Sequence, residues 1–142
     1  NGSYTITEEM KEAMKDFAGG YATEAQTAQE IRTVYEKSGY VLDPHTAVAS
    51  YVYHTWKAQN HPTAPAVIAS TASPFKFARS VMSAIDSKYD GMEDFSLIDE
   101  LCRISGVKVP KAVEEIRTAP VLHDKVIETN EMRQAVKDFL GM

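Results

Sequence analysis

Apolar residues recur along this chain mainly at spacings of three and four, the mark of amphipathic helices. Met10, Ala13, Met14 and Phe17 make the first stripe, behind Thr7 as cap and with Glu8 and Glu9 in the opening turn. Gly19-Gly20 ends it. Thr23 and Gln26 form a capping box for a second helix, with Ala28, Ile31, Val34 and Tyr35 inward and a stop at Ser38-Gly39. After a short extended stretch at Tyr40-Val41-Leu42, Asp43-Pro44 starts a third helix to about Gln59, with Val48, Tyr51, Val52, Thr55 and Trp56 at helical spacing.

Asn60 to Pro65 is a loop by its prolines. Val67-Ile68 then reads as one short buried strand, followed by a turn carrying the hydroxyls of Ser70, Thr71 and Ser73. Ser73-Pro74 combines a capping oxygen with proline at the first helical position, and Phe75, Ala78, Met82 and Ile85 give that fourth helix its apolar face. Ser96 to Gly106 and Pro110 to about Ile116 predict two further helices, Val121 to Ile127 is loop or edge strand, and a last helix from about Asn130 places Met132, Val136, Phe139 and Leu140 inward.

The predicted fold class is therefore α/β: a mostly helical chain with two or so short strands. A lone buried strand needs neighbours on both sides, so the inventory reads as one piece, residues 1–142, of a larger sheet-containing domain. The start at Asn1, without methionine, fits a segment cut from something longer.

Composition narrows the class further. A net charge of −5 and the lack of a Lys/Arg cluster argue against a nucleic-acid face. No apolar run approaches the roughly 20 residues that span a bilayer. The single Cys102 excludes an internal disulfide, fits a reducing cytoplasm and reads as a packed side chain within a helix. His45, His54, His61 and His123 show no metal-ligand spacing, and neither a GxSxG elbow nor a strand-borne glycine-rich phosphate loop occurs.

The informative features are the helix starts at Asp43-Pro44-His45-Thr46 and Thr71-Ala72-Ser73-Pro74. Each offers free N–H donors and a positive dipole end, though either alone reads as a well-capped helix. Lys76 is a solvated surface lysine or, if desolvated, a reactive amine. Tyr51, Tyr53 and Trp56 read as core and rim aromatics.

Leu42 to Ala49, followed by Val67 to Phe77 (Val-Ile-Ala-Ser-Thr-Ala-Ser-Pro-Phe-Lys-Phe), resembles the C-terminal third of threonine synthase. Phe17 to Thr23 is similar to that family's connecting region. The resemblance implies pyridoxal 5′-phosphate chemistry of the fold-type-II class, converting O-phosphohomoserine and water to threonine and phosphate by β,γ-elimination and replacement. It implies that Ser70 and Thr71, with Thr71 favoured, present a hydroxyl to the cofactor's ring nitrogen. A neutral partner of that kind leaves the nitrogen largely unprotonated. His45, Thr46, Ser73 and Lys76 become substrate-pocket candidates, although relatives often carry histidine where Ser73 stands. The family's Schiff-base lysine and phosphate cup belong to an N-terminal motif without counterpart here. The resemblance thus predicts no catalytic residue in this chain, no metal, and a cytoplasmic fragment inactive by itself. The cut edge favours self-association. A threonine or serine dehydratase-like lyase and a non-catalytic helical binding module are the alternatives.

Overall fold

Helices make up the regular structure of residues 2–142, the part described by this computed structural model, and no strand occurs among those residues. The non-methionine start at Asn1 lies outside the described residues. The chain divides into two compact units, Asn1–Pro110 and Lys111–Met142.

In the first unit the caps act as the sequence predicts. Thr7 caps α1 (Glu8–Ala13) through the Met10 N–H. The reciprocal box of Thr23 and Gln26 starts α2 (Glu24–Ser38), which ends on Gly39 at φ 72°, a left-handed conformation glycine adopts without a Cβ penalty. Asp43 and Pro44 start α3 (Pro44–Asn60). Ser73 caps a 3₁₀ turn (Pro74–Phe77) that leads into α4 (Ala78–Ile85). A further 3₁₀ turn (Ser87–Tyr89) precedes α5 (Asp94–Ser105), which begins two residues before the expected Ser96 because Glu93 supplies the cap.

The core gathers where α4 packs between α2 and α5. Ile31, Val81, Met82, Leu97 and Leu101 are buried there, together with Phe75 and Tyr89. Arg32 on α2 donates from Nε to the Ala84 carbonyl at 2.9 Å, satisfying an orphan carbonyl in the last turn of α4. Arg79 binds the start of α5 by donating to Asp94 Oδ1 at 2.9 Å and to the Met92 carbonyl at 2.9 Å.

The α/β expectation is corrected here. Val67 and Ile68 form no strand: Val67 is 97% exposed and Ile68 is half-buried. Pro62 and Pro65 remove two N–H groups from this stretch, and among the described residues no neighbouring strand exists to pair with the rest. An apolar dipeptide alone does not make a strand, because a single ladderless segment has nothing to satisfy its backbone. The buried face of α3 also differs from expectation. Thr46, Ala47 and Ser50 are buried, whereas Val48, Tyr51 and Val52 are half-buried and Thr55 and Trp56 exposed. Small residues let α3 lie close against α2, and polar bonds across that contact decide which face turns inward.

The second unit holds α6 (Lys111–Ile116), a 3₁₀ turn (Thr129–Glu131) and α7 (Met132–Leu140). Val121 to Val126 is irregular and exposed rather than an edge strand. Met132, Val136, Phe139 and Leu140 do share one face of α7, but all are exposed rather than inward.

Candidate functional site

Asp43 anchors the site. It is 1% exposed, and its Oδ1 accepts from the backbone N–H groups of His45 at 2.9 Å and Thr46 at 3.2 Å. Its Oδ2 accepts a hydrogen bond from the Thr46 hydroxyl. Burial pushes the Asp43 carboxyl up, but hydrogen bonds from the Thr46 side chain and backbone, then from His45, outweigh it and hold the group below its ordinary value. The anion is thus stabilised where the N–H groups and dipole of α3 favour it.

Thr46 connects the two sequence motifs. Its Oγ1 lies 3.1 Å from Ser70 Oγ, in hydrogen-bond contact across 24 residues of chain. The exposed His45 ring sits with Nδ1 3.3 Å from Asp43 Oδ1 and tilts against Phe77, with ring centroids 5.0 Å apart. The helix start at Asp43 and the hydroxyl turn at Ser70 therefore meet.

Other sequence-predicted residues lie around this junction rather than in it. Thr71 is exposed in the turn next to Ser70. Ser73 accepts from the Phe75 N–H at 3.3 Å and borders a recess of about 300 Å³ with Tyr40, Val41, Phe75 and Val107. Lys76 is exposed and lines a different recess of about 390 Å³, with Phe77, Arg79, Asp94 and Ile98.

Sequence reasoning missed a second polar cluster. Glu30 on α2 is buried, and its Oε1 accepts from Ser50 Oγ at 2.7 Å and lies 2.8 Å from His54 Nδ1. Thr27, Glu30, Ile31 and Val34 share one face of α2, while Thr46, Ser50 and His54 stand four residues apart on α3, so the periodicity carried the signal. The carboxylate sits between the serine and the histidine. That geometry ties α2 to α3; it is not that of a serine nucleophile activated by histidine, which needs those two in contact. Among the described residues no group of three His, Cys, Asp or Glu side chains could hold a metal ion, and no helix is long and apolar enough to cross a membrane.

Comparison with known proteins places the junction in context. The family described as "Threonine synthase, C-terminal" matches residues 46–139. The chain is 38% identical over 79 residues to Threonine synthase-like 1 of Homo sapiens, covering 56% of this chain and 10% of that protein. It is 34% identical over 116 residues to threonine synthase of Saccharomyces cerevisiae, covering 76% of this chain and 22% of that protein. Against threonine synthase of Corynebacterium glutamicum it is 32% identical over 82 residues, covering 58% of this chain and 17% of that protein. The chain thus spans roughly a tenth to a fifth of the length of these relatives. The family match runs from Thr46, one partner in the junction, through the Ser70 turn and on into α7. The chain belongs to the threonine synthase C-terminal family.

Proposed function

We propose that this chain forms one side of the cofactor and substrate pocket of a threonine synthase, which converts O-phosphohomoserine and water to threonine and phosphate. The observation that carries the reading is the Thr46–Ser70 hydrogen bond, because it joins the two motifs of the family resemblance into one polar junction. When bound, pyridoxal phosphate supplies the electron sink for the reaction. This chain's part is to bind and orient. The exposed hydroxyls of Ser70 and Thr71, beside the anchored Thr46, suit the nitrogen edge of a pyridine ring. His45, Thr46, Ser73 and Lys76 are the candidates for contact with substrate.

The donor set fits that edge and no more of the group. Neither Lys76, exposed beside its own recess, nor a glycine-rich turn offers a covalent anchor or a phosphate cradle at Ser70. The isolated chain is therefore inactive, and the remainder of the pocket belongs to a longer polypeptide. Two measurements test this. Incubation of the chain with O-phosphohomoserine and pyridoxal phosphate gives no phosphate release above a protein-free control; release would overturn the reading. Borohydride reduction followed by peptide mapping gives scattered, substoichiometric lysine labelling. A single lysine labelled one-to-one would mean that this chain holds its own cofactor anchor.

A further inference from the structure

We infer that Glu30 is a positioning residue for the Thr46–Ser70 junction: by holding Ser50 and His54 it sets the rotation of α3 about its own axis and so turns Thr46 toward Ser70. Thr46, Ser50 and His54 stand at four-residue steps along one side of α3. Ser50 donates from Oγ to Glu30 Oε1 at 2.7 Å, and His54 Nδ1 lies 2.8 Å from the same oxygen. Glu30, Ser50 and Thr46 are all buried. Thr46 lies about one turn before Ser50, and the backbone bonds of a helix resist twisting over so short a length. The rotation fixed at Ser50 is therefore the rotation that Thr46 takes.

The hydrophobic pattern of α3 pulls the other way. Val48 is two residues from both Thr46 and Ser50, which places it about 200° around the axis at 3.6 residues per turn. Tyr51 and Val52 stand with it, and all three are only half-buried. Apolar packing alone would turn that stripe inward. Ala47 lies on the buried side, but a methyl group carries no direction. Nor can the cap resist, since the bonds of Asp43 to His45 and Thr46 lie within the first turn of α3 and rotate with it. Glu30 belongs to α2, and if α3 turns, its buried carboxylate is left without Ser50 and His54. A buried carboxylate stripped of hydrogen bonds costs more than a half-exposed apolar stripe, so the polar side stays inward.

Crystal structures of the chain and its Glu30 variants read the junction without any cofactor. Glu30→Met keeps an unbranched side chain of similar reach but removes the acceptor. Glu30→Gln keeps an oxygen that accepts from both Ser50 and His54. In Glu30→Met the Thr46 Oγ1 to Ser70 Oγ separation should exceed about 3.6 Å, outside hydrogen-bond range. In Glu30→Gln it should stay near the parent's 3.1 Å. A junction intact in Glu30→Met, or broken in both variants, overturns the inference. If Glu30→Met does not fold, Glu30→Asp keeps the charge, shortens the reach by one methylene and should open the junction; an intact junction there overturns the inference equally. Resting on the pocket reading above, the effect on ligand is read separately in the longer polypeptide by titration with pyridoxal phosphate. Glu30→Met should bind it about 2- to 10-fold more weakly, the worth of one hydrogen bond, and Glu30→Gln should match the parent. An opened junction with unchanged cofactor affinity would sink the pocket reading and leave the role of Glu30 intact. A closed junction in Glu30→Met would sink that role whatever the cofactor does.

Discussion

Replacing Asp43 with alanine removes the acceptor for the His45 N–H, the Thr46 N–H and the Thr46 hydroxyl at once. Loss of an N-cap to alanine costs about 1 kcal/mol. Leaving a buried hydroxyl without its strong acceptor adds about 1–2 kcal/mol. Removing a buried carboxylate returns part of this, because desolvation opposes the charge. The net expectation for Asp43→Ala is a loss of about 2 kcal/mol. Asp43→Asn retains a capping oxygen of similar quality and should cost about 0.5 kcal/mol. Urea unfolding followed by fluorescence of Trp56, the chain's single tryptophan, which lies on α3, reports on the helix concerned. With a urea slope of about 1–3 kcal/mol per molar, the Asp43→Ala midpoint should fall by roughly 1 M. The pH dependence follows with a definite sign. The folded-state pKa lies below the unfolded one, so the stabilisation is present in full above the unfolded value, about 3.9. It is lost as pH falls through the lower folded value, and Asp43→Ala should therefore flatten the acid limb of the stability curve. An Asp43→Ala variant within about 0.3 kcal/mol of the parent would refute the account, since no cap-and-anchor role has so small a cost.

Other expectations rest on packing and on the second polar cluster. Leu101→Ala, at a fully buried site in α5, should cost about 2–5 kcal/mol in the same unfolding assay, whereas Val67→Ser, at a site 97% exposed, should stay within about 0.5 kcal/mol. A large loss at Val67 would restore the buried strand. Glu30→Ala strands the buried Ser50 hydroxyl and should cost about 1–3 kcal/mol; a neutral effect would show that the α2–α3 contact does not depend on it. Gly20→Ala would place a Cβ 2.7 Å from Val52 Cγ1, so a loss of about 1 kcal/mol is expected, relieved by Val52→Ala in the double variant.

The sequence carried the elements well and the faces unevenly. Caps are local chemistry, which is why Thr7, Thr23, Asp43 and Ser73 could be assigned from neighbours within one helical turn. The apolar stripe of α4 pointed correctly to Phe75, Ala78 and Met82 as core. The stripe of α3 did not predict its buried face, since Glu30 of α2 draws Ser50 inward with a hydrogen bond that no property of α3 alone announces. Val67-Ile68 failed for the opposite reason. β-structure is a property of pairs of segments, and an apolar dipeptide shortly after a proline has no intrinsic preference strong enough to stand without one.

The candidate site divides along the same line. From the sequence alone came two helix starts, a run of hydroxyls and a family resemblance that the match over residues 46–139 bears out. Only the tertiary structure put Ser70 within 3.1 Å of Thr46 and buried Asp43 behind them, while leaving Lys76 exposed at another recess. The difference is one of range. A cap or an amphipathic stripe is fixed by residues within one helical turn, whereas the junction depends on a hydrogen bond between residues 24 apart in the chain, which only the packing of the fold brings together.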